Sequence, residues 1–341
     1  MDRLVVDGWG KLVCKEDNQV VVKEGGKVVQ REIASNLRQV LITGSGSLTS
    51  DSILLLAENG VDVLFLNWKG EVTARISCPE MRTVGTRKEQ YYAYKDKRSG
   101  ILAKSFVYGK VKNQYALLGT FAKSRKESDV EKAEFILKGR ESLLGLIEDI
   151  AKVNEENIDK IRDELIGLEG KCSAIYWDCF SKIIPEGFSF EGRSGRYATD
   201  GVNAMLNYGY GMLECEVWRC VHFAGLDPYC GYLHADRPGK PSMVLDLMEE
   251  FRQQVVDKSV VALVSKKMIQ PSQSSLSDGI FKLSDDARKT LMREILEKLE
   301  DYTRVDDEKI RWCDLILKQA RQVGKYLRGE VLKYEPFYLR W

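Results

Sequence analysis

The sequence predicts an α+β protein in which a small β-rich N-terminal domain precedes a larger all-α domain. Two observations lead there. Over roughly the first 75 residues, short apolar runs alternate with Gly, Asp and Asn turn pairs, the spacing of strands and hairpins. From about Thr86 onward, apolar residues recur every three or four positions, the period of a helix with one buried face. The change falls near Ser77-Cys78-Pro79-Glu80. It sets boundaries of 1–78 for the β-rich domain, 79–86 for a linker and 87–341 for the helical domain.

Each element has a local reason. Leu4-Val5-Val6, Lys11-Leu12-Val13-Cys14, Gln19-Val20-Val21-Val22-Lys23 and Lys27-Val28-Val29 read as a meander of hairpins. Asp7-Gly8, Asp17-Asn18 and Gly25-Gly26 punctuate them. Val40-Leu41-Ile42 and Val61-Asp62-Val63-Leu64-Phe65-Leu66 read as two more strands. Between them, Ser50-Asp51-Ser52-Ile53-Leu54-Leu55-Leu56-Ala57 is a short helix, capped by Thr49 or Ser50 and ended by Asn59-Gly60. Gly44-Ser45-Gly46 begins like a phosphate-binding loop but lacks the third Gly and the Lys-Ser/Thr ending. It reads as a strand-to-helix turn.

Beyond the linker, Ile101, Phe106, Val107, Val111, Tyr115, Leu118 and Phe121 fit one long amphipathic face. Helices follow over 127–150, 154–167, 170–182, 200–224, 242–264, 284–301 and 306–327. Pro185-Glu186-Gly187 and Arg193-Ser194-Gly195-Arg196 mark loops, and Gln270-Pro271-Ser272-Gln273-Ser274-Ser275 reads as a polar stretch free to move.

Bulk properties narrow the class. With 341 residues, 44% hydrophobic and 30% charged, the chain suits a soluble protein with two cores. No apolar run approaches membrane-spanning length, and Met1-Asp2-Arg3-Leu4-Val5 is no secretory signal. Eight Cys occur without a C-x-x-C pair, which fits the reducing cytoplasm and argues against zinc ribbons. The net charge of +1 conceals an asymmetry. Residues 82–126 hold 12 Lys/Arg against Glu89 and Asp96, whereas 127–164 hold 12 acidic residues against 6 basic. The basic stretch also carries Tyr91, Tyr92, Tyr94, Tyr108 and Tyr115. Cations beside stacking rings suit a nucleic-acid backbone and splayed bases. The same pattern also suits one solvated face of a long helix.

A constellation of chemistry-bearing residues lies between 169 and 257. Asp246 and Glu249 are i, i+3 on a predicted helix and share a face, with Glu250 at i+4. His234 lies 12 residues before Asp246, behind Pro238-Gly239, so its loop can fold back onto that helix. Glu169 sits near the end of a predicted helix and is followed by Gly170, where the backbone can turn or approach closely. An imidazole with carboxylates suits Mg2+ or Mn2+. Such an ion polarises a phosphodiester. A carboxylate pair is also a common solvated helix edge, and a single His is commonly structural. His222, in Cys220-Val221-His222-Phe223, reads as packing.

Taken in order, the motifs resemble the CRISPR-associated adaptation integrase family over the whole chain. They are Glu169-Gly170 with Tyr176-Trp177, Asn203-Ala204-Met205-Leu206-Asn207-Tyr208-Gly209-Tyr210, Gly225-Leu226-Asp227-Pro228, Leu233-His234 and Asp246-Leu247-Met248-Glu249-Glu250-Phe251-Arg252. Ile42-Thr43-Gly44 and Gly60-Val61-Asp62-Val63-Leu64-Phe65 match that family's N-terminal domain. The resemblance implies that the helical domain is catalytic and that Glu169, His234 and Glu249 hold Mg2+ or Mn2+. It implies that Asp246 stands nearby, as a ligand through water or a supporting group, and that Tyr176 and Tyr208 line the site and position DNA. It further implies transesterification by a DNA 3′-hydroxyl and cutting of branched or single-stranded DNA. A homodimer formed through the β-rich domain and a small partner, the second CRISPR adaptation protein, are implied as well. Two other readings stay open: a metal-dependent, structure-specific nuclease of DNA repair, and a helical DNA-binding protein without catalysis.

Overall fold

The computed structural model describes residues 2–78, 83–195 and 197–340. The first four positions of the expected linker, Arg82 of the basic stretch and Arg196 of its loop therefore lie outside the described residues. The chain divides into two compact units, Met1–Met81 and Arg82–Trp341.

The first unit is built from β1 (Arg3–Val6), β2 (Trp9–Glu16), β3 (Gln19–Glu24), β4 (Lys27–Ile33), β5 (Gln39–Ile42), β6 (Ser45–Leu48), α1 (Ser50–Glu58), β7 (Asp62–Leu66) and β8 (Val72–Ile76). They form two sheets, β1-β5-β7-β8 and β4-β3-β2-β6. The expected meander holds for β2, β3 and β4 only. Strand β1 leaves it and runs parallel to β5, because Gly8, at φ 97, turns the chain out of the first sheet into the second. Gly44-Ser45-Gly46 is not a turn into the helix; Ser45 starts β6, parallel to β2. A Cβ on Gly44 would stand 1.7 Å from the Gly8 carbonyl oxygen, so only glycine allows that approach. Thr49 caps α1 by accepting from the Ser52 N–H, and Asn59 ends it. Leu4, Val6, Val13, Val20, Val22, Val40, Ile42, Leu56 and Val63 share one core.

The second unit is mainly helical: α2 (Val84–Ala93), α3 (Lys97–Arg125), α4 (Val130–Lys152), α5 (Ile158–Ser181), α6 (Gly201–Phe223), α7 (Ser242–Met248), α8 (Lys258–Ser265), α9 (Asp285–Glu300) and α10 (Trp312–Leu327). Asp96, Asp129, Asn157, Asp200 and Ser284 cap α3, α4, α5, α6 and α9 with their side-chain oxygens. Helices α3, α4 and α5 pack on one another, and no described helix is long and apolar enough to cross a membrane.

Several sequence expectations need correction. Helix α2 starts at Val84, inside the expected linker. Helix α5 passes through Gly170 without a break. An exposed mid-helix glycine costs only about 1 kcal/mol, and buried Leu165 and Cys172 on either side keep one apolar face. The expected helix over 242–264 is interrupted between α7 and α8, where Gln253–Asp257 forms a widened π-turn. The polar stretch at 270–275 leads into a hairpin of β9 (Ser274–Ser277) and β10 (Ile280–Leu283). A second hairpin, β11 (Tyr302–Val305) and β12 (Glu308–Arg311), occupies the start of the expected 306–327 helix. Asp278-Gly279 and Asp306 take positive φ in these turns, turn chemistry that a search for helical period overlooks.

Candidate functional site

Three segments of the helical unit build the site. Helix α3 brings Lys110 on a turn whose neighbours Val107 and Val111 are fully buried. Helix α5 brings Glu169, whose Oε1 accepts from Lys110 Nζ at 2.5 Å and from Ser173 Oγ at 2.7 Å. The loop before α7, with the turn after it, brings His234 and Glu249. Gly109 lets α3 approach closely: a Cβ there would come within 3.2 Å of Glu250 Cγ.

Asp246 organises the loop. Its side chain is fully buried. Oδ2 accepts from the backbone N–H of Tyr232 at 2.6 Å and of Leu233 at 2.9 Å. Oδ1 accepts from the His234 N–H at 2.9 Å and from His234 Nδ1 at 2.7 Å. The expected fold-back of His234 onto α7 is thus present. A carboxylate acceptor places a proton on Nδ1, which makes Nε2 the ring nitrogen not engaged by Asp246. All four contacts saturate Asp246, so it has the geometry of a residue that orients His234.

Glu249 is buried between two cations. Its Oε1 accepts from Arg252 Nε at 2.9 Å, and its Oε2 lies 2.7 Å from Lys110 Nζ without hydrogen-bond geometry. Burial pushes the Glu249 carboxyl up, but Arg252, Lys110 and His234 outweigh it and bring it down to about 2. Burial pulls Lys110 down, but Glu249 and Glu169 outweigh that and hold its pKa above the usual lysine range. One ammonium therefore stands where two carboxylates converge.

The two tyrosines named from sequence are placed differently from the expectation. Tyr176 is fully buried and donates to Asp257 Oδ2 at 2.7 Å, while Tyr210 donates to Asp257 Oδ1 at 2.5 Å. Tyr208 is also buried, at 4% exposure. As arranged, neither ring offers DNA a face; both lie on the inward stripes of α5 and α6, which sequence period alone would have indicated. Burial raises Asp257 to about 6, against the lowering effect of the two tyrosines and of Arg252 and Arg193.

Sequence reasoning missed Lys110, Arg252 and a network around Glu250. Tyr334 donates to Glu250 at 2.5 Å, Gln319 at 3.0 Å and the Phe337 N–H at 2.8 Å. The one available signal was Lys110 itself, a lysine amid apolar neighbours on a long helix. Arg98 of the basic stretch is also committed, to Asp96, Glu89 and the Leu327 carbonyl. Lys95 and Lys97 remain exposed beside exposed Tyr91 and Tyr92.

A Mg2+ or Mn2+ ion takes oxygen ligands with at most an imidazole. Glu169, Glu249 and His234 Nε2 are donors of those types. Glu249 Oε2 is a buried acceptor with no hydrogen bond, and both carboxylates already converge on one cation. The residues fit such an ion in kind, and the two carboxylates meet at one cation, but among the described residues no group of three His, Cys, Asp or Glu side chains is arranged to hold a metal ion.

The family model described as CRISPR associated protein Cas1 matches residues 4–297. The chain belongs to that family. A CRISPR-associated endonuclease Cas1 of Archaeoglobus fulgidus is 46% identical to this Cas1-family chain over 345 residues, covering 99% of it and 100% of the relative. A CRISPR-associated protein Cas1 of Methanobrevibacter ruminantium is 31% identical over 340 residues, covering 99% and 100%. Among solved structures, a casposase bound to integration product superposes with TM-score 0.80 at 26% identity, over 98% of this chain and 93% of that one. A Cas1 protein from Thermotoga maritima shares the fold, with TM-score 0.75 at 18% identity over 99% and 100%.

Proposed function

We propose that this chain is a metal-dependent DNA endonuclease and integrase that inserts spacer DNA into CRISPR arrays. Its 46%-identical relative is named an endonuclease, and the casposase it resembles was captured with integration product. The observation that carries the proposal is the convergence of Glu169 and Glu249 on one cation, beside a His234 held by Asp246.

In this reading Glu169, Glu249 and His234 Nε2 hold Mg2+ or Mn2+. Asp246 fixes the imidazole, and Arg252 fixes Glu249. The bound ion supplies Lewis-acid polarisation of the phosphodiester and favours the deprotonated oxygen nucleophile. A DNA 3′-hydroxyl then attacks phosphorus in the repeat, the old P–O bond breaks, and its 3′-oxygen leaves with a proton. Water in place of the hydroxyl gives cleavage. Tyr176 and Tyr210 act from the interior, by holding Asp257 beneath α6. Exposed Lys95, Lys97, Tyr91 and Tyr92 offer charge and stacking to duplex, branched or single-stranded DNA. We extend the proposal to a homodimer and, from the family resemblance, to the small second CRISPR adaptation protein as partner.

Alanine at Glu169, His234 or Glu249 is expected to lower metal-dependent cleavage of a branched oligonucleotide, and formation of donor–target joint product, by more than about 100-fold. That exceeds the range typical of residues that only support ligands. DNA binding persists. A His234→Ala protein that cuts at the wild-type rate would falsify the site. Cleavage without any joint product points to a structure-specific nuclease instead.

A further inference from the structure

We infer that Lys110 is a positioning residue that holds Glu169 and Glu249 in register until a divalent ion displaces it. This rests on the reading of Glu169, Glu249 and His234 as metal ligands. The lysine reaches from α3 to carboxylates borne by α5 and by the turn after α7, 2.5 and 2.7 Å away. Its side chain is only 14% exposed and that of Glu249 only 5%.

The charges close on themselves: Glu169 and Glu249 are matched by Lys110 and Arg252. Without Lys110, two carboxylates would face one another with a single counter-charge, and their repulsion would open the site. With a divalent ion between them, the ammonium would meet a double positive charge at contact distance in a poorly solvated place. The two cations therefore exclude each other. Lys110 keeps the ligands converged, and metal binding works against it.

Competition has a sign that a merely structural lysine does not share. Mn2+ binding to the full-length protein, followed by calorimetry at fixed pH, is expected to tighten about tenfold in Lys110→Met. That is the equivalent of one charge-assisted contact no longer broken on binding. The metal-free melting temperature falls, and Mn2+ restores it. Lys110→Arg keeps a cation and stays near wild type in both measurements. Should the Met variant not fold, Lys110→Gln, which keeps a donor and loses the charge, is expected to tighten in the same direction. Unchanged or weaker Mn2+ binding in the neutral variants overturns the inference, as does tightening in Lys110→Arg. A wild-type protein that takes up no Mn2+ overturns the metal reading itself, so the two failures are distinct.

Discussion

Asp257 shows at the scale of one residue how a buried carboxyl is kept. Two tyrosine hydroxyls donate to it, one to each oxygen. They do not fully offset burial, and its pKa rises to about 6. The sign of the linkage follows. A carboxyl that holds its proton more tightly in the fold adds stability below its unfolded pKa near 3.9, and that stability is lost as pH rises through about 6. Asp257→Asn keeps partners for both hydroxyls and does not titrate. Between pH 4.5 and 7.5, wild type is therefore expected to lose about 2 kcal/mol relative to the variant. Urea unfolding of both proteins at the two pH values checks this. A difference that does not change with pH would show that Asp257 ionises in the fold as freely as in the unfolded chain.

At the scale of elements, the corner between α2 and α3 divides its cations by task. Arg98 ties the corner together through Asp96, Glu89 and the Leu327 carbonyl at the end of α10. Lys95 and Lys97 are exposed. Lys95→Ala with Lys97→Ala is expected to weaken duplex binding and flatten the log–log salt dependence by about 0.9 per phosphate contact removed, with melting nearly unchanged. Arg98→Ala is expected to lower the melting temperature instead, because the Leu327 carbonyl and Glu89 lose their donor. Titrations of labelled DNA at several salt concentrations separate the cases. If the lysine pair changes stability and leaves the salt slope intact, this corner does not track phosphates.

At the scale of the whole molecule, the first unit carries exposed apolar surface on one edge strand. Every residue of β4 is exposed, Val28, Val29 and Ile33 among them, and Trp9 is 82% exposed. An edge strand with exposed valines is a template for pairing. The full chain is expected to be a dimer by light scattering, and Val28→Asp with Val29→Asp to give monomers that keep their melting transition. A dimer untouched by those charges would place the interface elsewhere.

The sequence by itself determined the order of strands before helices, most helix spans, a helix cap at Thr49 or Ser50 and a loop able to fold His234 back onto the helix of Asp246. These were legible because period, capping and turn chemistry act within about a dozen residues, where side-chain spacing dictates which face is buried. It misjudged Gly170 and the start of β6, where a glycine read as a turn serves instead as an exposed helical position or a close backbone approach. Only the tertiary structure decided that β1 runs beside β5, that Tyr176 and Tyr210 meet at Asp257, and that Glu250 anchors Tyr334 and Phe337. It alone set Lys110 against Glu169, 59 positions away. A lysine on an apolar helix carries no local mark of its partner. Its ammonium leaves water only where other helices deliver opposite charge, and packing selects those helices.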